Sequence, residues 1–425
     1  MTTIMKTTVL YAQLPTEIDL PESWSVREIR PKSVESTDAA VLIRRALEKP
    51  IDHERFGEFL ARYESLLVIV NDHARGTPTP AILREIVPQL RGKRFGIIVA
   101  SGTHALPSET DLREVILGEF YDELRQRVIF HESKNSEMIY LGTTGRGTRV
   151  EINRVVEDYD ALIAINSVEP HYFAGFTGGR KSILPGIAAF DTIESNHSMA
   201  LLDEARLLSL EGNPLHEDLE EAAHLLVDRK PVFAINTVQD GEGRIVQVVA
   251  GDIFKQLYVA ADTAREIYAP VIERPADIVI AVVHPPFDHD LYQGAKGFEN
   301  TRFAVRDGGI LILVAACPGG IGAEDYAQMM TCADTPEELY QKFQEIKRHY
   351  QLGWHKVGSI PPFLAKNQLW MVTKMDSDTV ARMHMRGFGT LQEAVDAARE
   401  IIGEKADVLL VHDAANVCPV VKQGA

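Results

Sequence analysis

The sequence predicts an α/β protein of two lobes, each built on a mainly parallel sheet. Three observations carry this. Short unbroken apolar runs recur along the chain, helix-patterned segments separate them, and a proline interrupts the alternation at residue 275. The runs are Leu66–Val70, Gly96–Ala100, Ala161–Asn166 and Val232–Ile235, followed by Ile278–Val283, Gly309–Ala315, Leu369–Thr373 and Asp407–Val411. A strand covered on both faces of a parallel sheet needs apolar side chains at successive positions, and these runs supply them. Segments such as Pro80–Leu90 and Glu337–His349 carry helix-like spacing, so the alternation reads as α/β. Pro275 separates a helical stretch from a fresh strand around Glu273–Asp277. This sets an N-terminal lobe of residues 1–272 and a smaller C-terminal α/β lobe of residues 273–425.

A chain of 425 residues with 45% hydrophobic content holds two lobes of this kind. Its 44 Lys and Arg against 61 Asp and Glu, a net charge of −17, argue against nucleic acid or an anionic membrane as a partner. They leave an anionic substrate open, because the local charge of a cleft decides that. Cys317, Cys332 and Cys418 are too few and too scattered for a disulfide framework or a thiolate zinc site. Reduced, mostly buried thiols are expected. No apolar stretch reaches about 18 residues, and Glu17, Asp19 and Glu22 come early without an apolar signal core. The expected location is cytoplasmic.

Chemistry concentrates just after three of the N-terminal strands. Leu66–Val70 is followed by Asn71-Asp72-His73-Ala74-Arg75, Gly96–Ala100 by Ser101-Gly102-Thr103-His104, and Ala161–Asn166 by Ser167-Val168-Glu169-Pro170-His171. Ligands of open α/β sheets bind beyond the carboxyl ends of the strands, so these three ends are able to share one crevice. One histidine after a strand is more often structural; three at equivalent places are harder to dismiss.

The third motif runs on through Tyr172-Phe173-Ala174-Gly175-Phe176-Thr177-Gly178-Gly179-Arg180-Lys181-Ser182. Its glycines permit close backbone approach, and its N–H groups with Arg180 and Lys181 suit an anion. It is not a phosphate-binding P-loop: counting from Gly175, the second required glycine falls on Arg180. Gly320-Ile321-Gly322 fails as a dinucleotide fingerprint in the same way, with Asp325 where glycine or alanine is needed. Asn196-His197 follows a Pro185-Gly186 turn and a short helical pattern. One imidazole alone is a poor metal site, and His171 lies outside any short ligand spacing from His197. In the C-terminal lobe, Gln293 and Lys296 are three apart and able to aim an amide and a cation at a carboxylate from one helix face; a solvated helix start is the simpler reading. Trp354, isolated in Leu352-Gly353-Trp354-His355-Lys356, is by itself a core residue. From the residues alone, the reading reaches an anionic ligand, several imidazoles and a candidate nucleophilic lysine.

In order and approximate spacing, Asp72-His73-Ala74-Arg75, Gly102-Thr103-His104, His171 through Ser182, Pro185-Gly186, Asn196-His197, Tyr292-Gln293 with Lys296-Gly297, and Met383-His384-Met385 resemble the lactate racemase family. The Gly175–Lys181 segment is the most specific part. The resemblance implies two α/β lobes with the active site in the cleft between them. It also implies a nickel pincer nucleotide, a pyridinium-3,5-bisthiocarboxylic acid mononucleotide bound covalently at Lys181, with His197 as the one protein ligand to nickel. Asp72, His73, Ala74 and Arg75 would contact this cofactor, Gly178 and Gly179 would serve its phosphate, and Trp354 would pack close to it. His104 and His171 would be the paired acid and base, while Arg75, Gln293 and Lys296 would hold a small 2-hydroxy acid. Enzymes that synthesise the cofactor would act upstream. The Trp354 segment differs from the form associated with lactate, which leaves lactate, malate and larger hydroxyacids or aldonates open as substrates.

The chemistry implied is proton-coupled hydride transfer. Removing the C2 proton beside a carboxylate would build a dianion, whereas removing hydride leaves a neutral ketone. Stepwise loss of the hydroxyl proton to imidazole, from a pKa of ~15.7 to ~6.5, is uphill by roughly 12 kcal/mol, so the two transfers are coupled. The competing readings are a nucleotide-dependent phosphoryl-transfer enzyme built on the Gly175–Lys181 loop, and a non-catalytic hydroxyacid-binding protein.

Overall fold

The computed structural model describes residues 4–35, 37–346 and 349–422. Twelve strands form two six-stranded sheets. In chain order they are β1 (Ser25–Ile29), β2 (Ser65–Asn71), β3 (Arg94–Ala100), β4 (Val128–Phe130), β5 (Ala161–Ser167), β6 (Val232–Gln239), β7 (Ile245–Gly251), β8 (Ala276–Val282), β9 (Val305–Val314), β10 (Gln368–Val372), β11 (Arg386–Phe388) and β12 (Asp407–Val411). All eight apolar runs fall on these strands, those ending at Val283, Ala315 and Thr373 overrunning the strand by one residue. The segment Pro80–Leu90 is inside helix Thr79–Leu90, and Glu337–His349 corresponds to helix Pro336–Ile346, with Lys347 and Arg348 outside the described residues.

Two compact units result, residues 33–266 and residues 1–32 with 267–425. The first carries the sheet β7-β6-β5-β2-β3-β4, parallel except for the hairpin of β6 and β7. Leu66, Val68 and Val70 point to one face, where Ile43, Phe56, Phe59, Ile82 and Ile86 from three helices cover them. Leu67 and Ile69, facing the other way, are equally buried. The apolar runs are continuous because both faces are closed.

The second unit carries the sheet β11-β10-β9-β8-β12-β1, parallel throughout. A boundary at 272/273 differs from this division chiefly in residues 1–32. Strand β1 pairs with β12, and Val9, Ile18, Leu20 and Trp24, from the hairpin Ile4–Tyr11 with Leu14–Pro21 and the turn after it, join Ile278, Ile310 and Leu410 in one core. The N-terminal segment therefore folds with the C-terminal half of the chain. Cys317 and Cys418 are buried thiols and Cys332 is an exposed one. Among the described residues no helix is long and apolar enough to cross a membrane.

Candidate active site

In the unit of residues 33–266, the sheet reverses direction at β2: β3 and β4 follow on one side, β5 and β6 on the other. Such a switch point opens a crevice at the carboxyl ends of its strands. Strands β3, β2 and β5, adjacent and parallel, are the three that carry the histidine motifs. Their ends are laced together. Asn71 donates to the Thr77 hydroxyl at 2.7 Å, and that hydroxyl lies 2.8 Å from the hydroxyl of Ser167. The Gly102 turn leans on Pro185-Gly186, with its N–H 3.0 Å from the Gly186 carbonyl.

Asp72 is buried, and its Oδ2 lies 2.7 Å from Nδ1 of His104. Burial works to raise the Asp72 carboxyl; the hydrogen bond from His104 and the charges of His104, Arg75 and His73 outweigh it, and the pKa falls below the usual carboxylate range. An ionised carboxylate only accepts hydrogen bonds, so Nδ1 of His104 carries the proton and the lone pair of the neutral ring sits on Nε2. His171 has the opposite arrangement. Its Nδ1 accepts the Ala174 N–H at 3.4 Å, which puts the proton of a neutral ring on Nε2. In their neutral forms the two rings thus carry the proton on opposite nitrogens, Nδ1 in His104 and Nε2 in His171.

Phe173 connects the remaining residues. Its ring meets His171 edge-on at 4.4 Å and His197 at 5.1 Å, and Nζ of Lys181 lies 5.7 Å from its centre. The sequence reading passed over Phe173; its place in the middle of the His171–Lys181 motif was the available signal. Burial, then the charges of Lys181, Arg75 and His104, push His197 down to about 3. It is therefore a neutral imidazole. The structure thus gathers Asp72, Arg75, His104, His171, Lys181 and His197, with His73 beside Asp72.

Arg180 behaves differently from the anion-binding cation its setting suggests. It is completely buried, and its guanidinium donates to the carbonyls of Ala174 (2.9 Å), Phe176 (3.0 Å) and Gly178 (3.2 Å). It pins the loop that presents Lys181 and is directed at no ligand. The glycines are also accounted for by packing. A Cβ on Gly178, where φ is +88°, would stand 2.5 Å from the Val168 side chain; one on Gly179 would stand 2.7 Å from the Ile253 carbonyl. The Gly179 N–H is taken by Asn236 at 3.2 Å.

In the other unit, Gln293 and Lys296 lie in the first turns of a helix, Leu291–Thr301, capped by Asp290. Lys296 Nζ sits 3.9 Å over the Phe287 ring. Trp354 opens a short turn whose Lys356 donates to the Tyr292 carbonyl at 2.7 Å, tying that turn to the residue before Gln293. Trp354 is only partly buried, and it lines a cavity of about 570 Å³ with Met329, Gln328 and Asp325.

Two family models match the chain, the lactate racemase N-terminal domain over residues 11–208 and the lactate racemase C-terminal domain over residues 271–419. A lactate racemase of Thermoanaerobacterium thermosaccharolyticum is 32% identical over 389 residues, covering 88% of this chain and 89% of its own. One of Lactiplantibacillus plantarum is 30% identical over 388 residues, with the same coverage. The structure of the T. thermosaccharolyticum lactate racemase apoprotein is similar, with a TM-score of 0.89 at 28% identity over 99% of this chain and 100% of that one. A protein of Thermotoga maritima, at 19% identity and a TM-score of 0.67 over 88% and 99% of the two chains, shares the fold. With two curated relatives at this identity along most of its length, the chain belongs to the lactate racemase family and is an isomerase of the racemase type.

Proposed function

We propose that this racemase inverts C2 of a small 2-hydroxy acid, lactate or a relative such as malate, using a nickel pincer nucleotide attached at Lys181 with His197 as its protein ligand. The observation that carries the reading is the 2.7 Å pair of Asp72 and His104, set in one cluster with Arg75, Lys181 and His197.

The residues present fit such a group. Oδ1 of Asp72 is buried without a hydrogen-bond partner, so the pair has an acceptor to offer a cofactor hydroxyl. His197 is held neutral, the form in which imidazole binds metal. Among the described residues no group of three His, Cys, Asp or Glu is arranged to hold a metal ion, so a metal at His197 draws its other donors from the cofactor. When bound, this group supplies an acceptor for hydride from C2.

The chain's own residues handle the proton and the orientation. His104 accepts the hydroxyl proton of one enantiomer on Nε2, and the carboxylate of Asp72 offsets the imidazolium charge that results. His171 is the second acid–base group: as an imidazolium it returns a proton to the oxygen once the ketone has turned, and the roles reverse for the other enantiomer. Arg75, Gln293 and Lys296 hold the carboxylate while the ketone turns. Asp72 through Arg75 would contact the cofactor, Gly178 and Gly179 would lie at its phosphate, and Trp354 would pack close to it. Cofactor-synthesis enzymes act upstream in this reading.

The test is intact-mass, nickel and polarimetric analysis of protein produced together with the cofactor-synthesis enzymes, using lactate and malate enantiomers. The reading predicts added mass that is lost in Lys181→Ala, bound nickel, and decay of optical rotation with one of the substrates. Racemisation by a chain of unmodified mass would refute the cofactor assignment.

A further inference from the structure

The two residues that anchor the cofactor in this reading, Lys181 and His197, lie on different segments. His197 is on helix α1 (Phe190–Ser198), and Lys181 is on the turn Gly179–Ser182. Both segments are tied to a third element, helix α2 (Pro214–Val227), which none of the site residues occupies.

The ties are specific. Asn213 caps α2, accepting the N–H groups of Leu215 (3.1 Å) and His216 (3.2 Å), and its amide donates to the Phe173 carbonyl at 2.9 Å. Asp218 is fully buried. It accepts hydrogen bonds from the hydroxyls of Thr144 (2.5 Å) and Thr148 (2.8 Å) and from the amide of Asn196 at 2.8 Å, the residue beside His197. Two residues along a helix turn the side chain by about 200°, so His216 and Glu220 present the opposite face of α2. There His216 lies 3.4 Å from Glu220, and helix α3 (Lys255–Tyr268) adds the Tyr258 hydroxyl, 3.2 Å from His216 and 3.5 Å from Glu220. This group stands beside the buried Arg180 guanidinium, whose Nε has no hydrogen-bond partner. Burial lowers Arg180 to about 10, and the charge of Glu220 opposes that loss. A completely buried cation needs such a counter-charge.

We propose that α2 is a strut setting the position of His197 relative to Lys181, with Asp218 and Glu220 as positioning residues, one on each face. Asp218 holds Asn196 and thereby the last turn of α1, which orients the His197 ring. Glu220 supplies negative charge that favours the buried Arg180 cation, and Arg180, bonded to the carbonyls of Ala174, Phe176 and Gly178, fixes the loop that presents Lys181. The proposal rests on the cofactor reading above, and it predicts that the two anchors fail separately.

The experiment compares Asp218→Asn and Glu220→Gln in protein produced with the cofactor-synthesis enzymes, reading adduct by intact mass, nickel per adduct after dialysis, and Tm. Removing a group that orients a metal ligand typically costs about 10–100-fold in metal affinity. Asp218→Asn is therefore expected to keep the Lys181 adduct and lose nickel affinity by that factor. Glu220→Gln is expected to slow adduct formation several-fold, with nickel per adduct unchanged. Thr144→Val is the control, because it removes an Asp218 hydrogen bond without touching Asn196; it is expected to lower Tm and retain nickel. Should Asp218→Asn fail to accumulate, Asn196→Ala breaks the same contact from the other side and is expected to lose nickel in the same way. If the two variants lose adduct and nickel together, in proportion to Tm, or if Thr144→Val loses nickel as well, the strut is merely structural and the proposal is overturned. A wild type carrying neither adduct nor nickel overturns the cofactor reading, and this proposal with it.

Discussion

Asp72→Asn changes one oxygen for an amide nitrogen and tests the acid–base assignment. The carboxylate is 3% exposed and holds Nδ1 of His104 at 2.7 Å. A hydrogen bond to a charged group contributes about 1.5–3 kcal/mol, which at about 1.4 kcal/mol per decade is a loss of roughly 10–100-fold in rate. The amide also turns the tautomer: an N–H facing Nδ1 makes that nitrogen the acceptor and moves the proton to Nε2, where the base is needed. The combined loss should approach the ~10²–10⁴-fold typical of a missing positioned base. Without the carboxylate the His104 imidazolium is less favoured, so the acidic limb of the pH–rate profile should move to lower pH. The assay is polarimetry from each enantiomer across pH 4–9 (about the range where imidazole titrates), with intact mass to confirm that the adduct is present. A loaded Asp72→Asn enzyme with the wild-type rate and profile would show that the carboxylate does not govern His104.

The remaining predictions concern the histidine pair and stability. His104→Ala and His171→Ala should each abolish net racemisation, yet single-turnover ketone formation, followed by rapid mixing and trapping, should fail mainly from one enantiomer in the first and from the other in the second. Equal failure from both would refute the two-base assignment. Arg180→Met leaves the carbonyls of Ala174, Phe176 and Gly178 without their donor and Glu220 without its counter-charge; denaturant unfolding should register a loss of about 3–5 kcal/mol, and a change under 1 kcal/mol, roughly that of an exposed ion pair, would contradict the pinning role. His131, buried between the Ala188 carbonyl and Asn153, is lowered by desolvation from 6.5 to about 4. The unfolded chain takes up a proton below pH 6.5 that the folded chain refuses until about pH 4, so stability should fall as pH drops through that window, by roughly 3 kcal/mol from this group. Urea midpoints should show a shallower acid dependence in His131→Asn than in the wild type.

Much of this architecture is legible in the sequence, for local reasons. A strand closed on both faces must be apolar at successive positions, so the runs from Leu66–Val70 to Asp407–Val411 announce eight of the twelve sheet strands. Residues placed after a buried parallel strand emerge at its carboxyl end, so Asp72, His104 and His171 are recognisable as candidates for one crevice before any pairing is known. Edge and hairpin strands are not legible in this way: β1, Ser-Val-Arg-Glu-Ile, is part-exposed and carries charge. Only tertiary pairing decides that β1 lies beside β12, nearly four hundred residues away in sequence, and so that residues 1–32 fold with the C-terminal half. The sheet order placing β2 between β3 and β5, and so bringing three motifs together, is likewise a matter of non-local hydrogen bonds with no signature in any one segment. Arg180 shows the limit most plainly. A cation in a glycine-rich loop has the same composition whether it faces an anion or its own backbone, and only burial separates the two. The same holds for the histidines, whose opposite proton positions are set by a carboxylate 32 residues before His104 and by the backbone N–H of Ala174 beside His171.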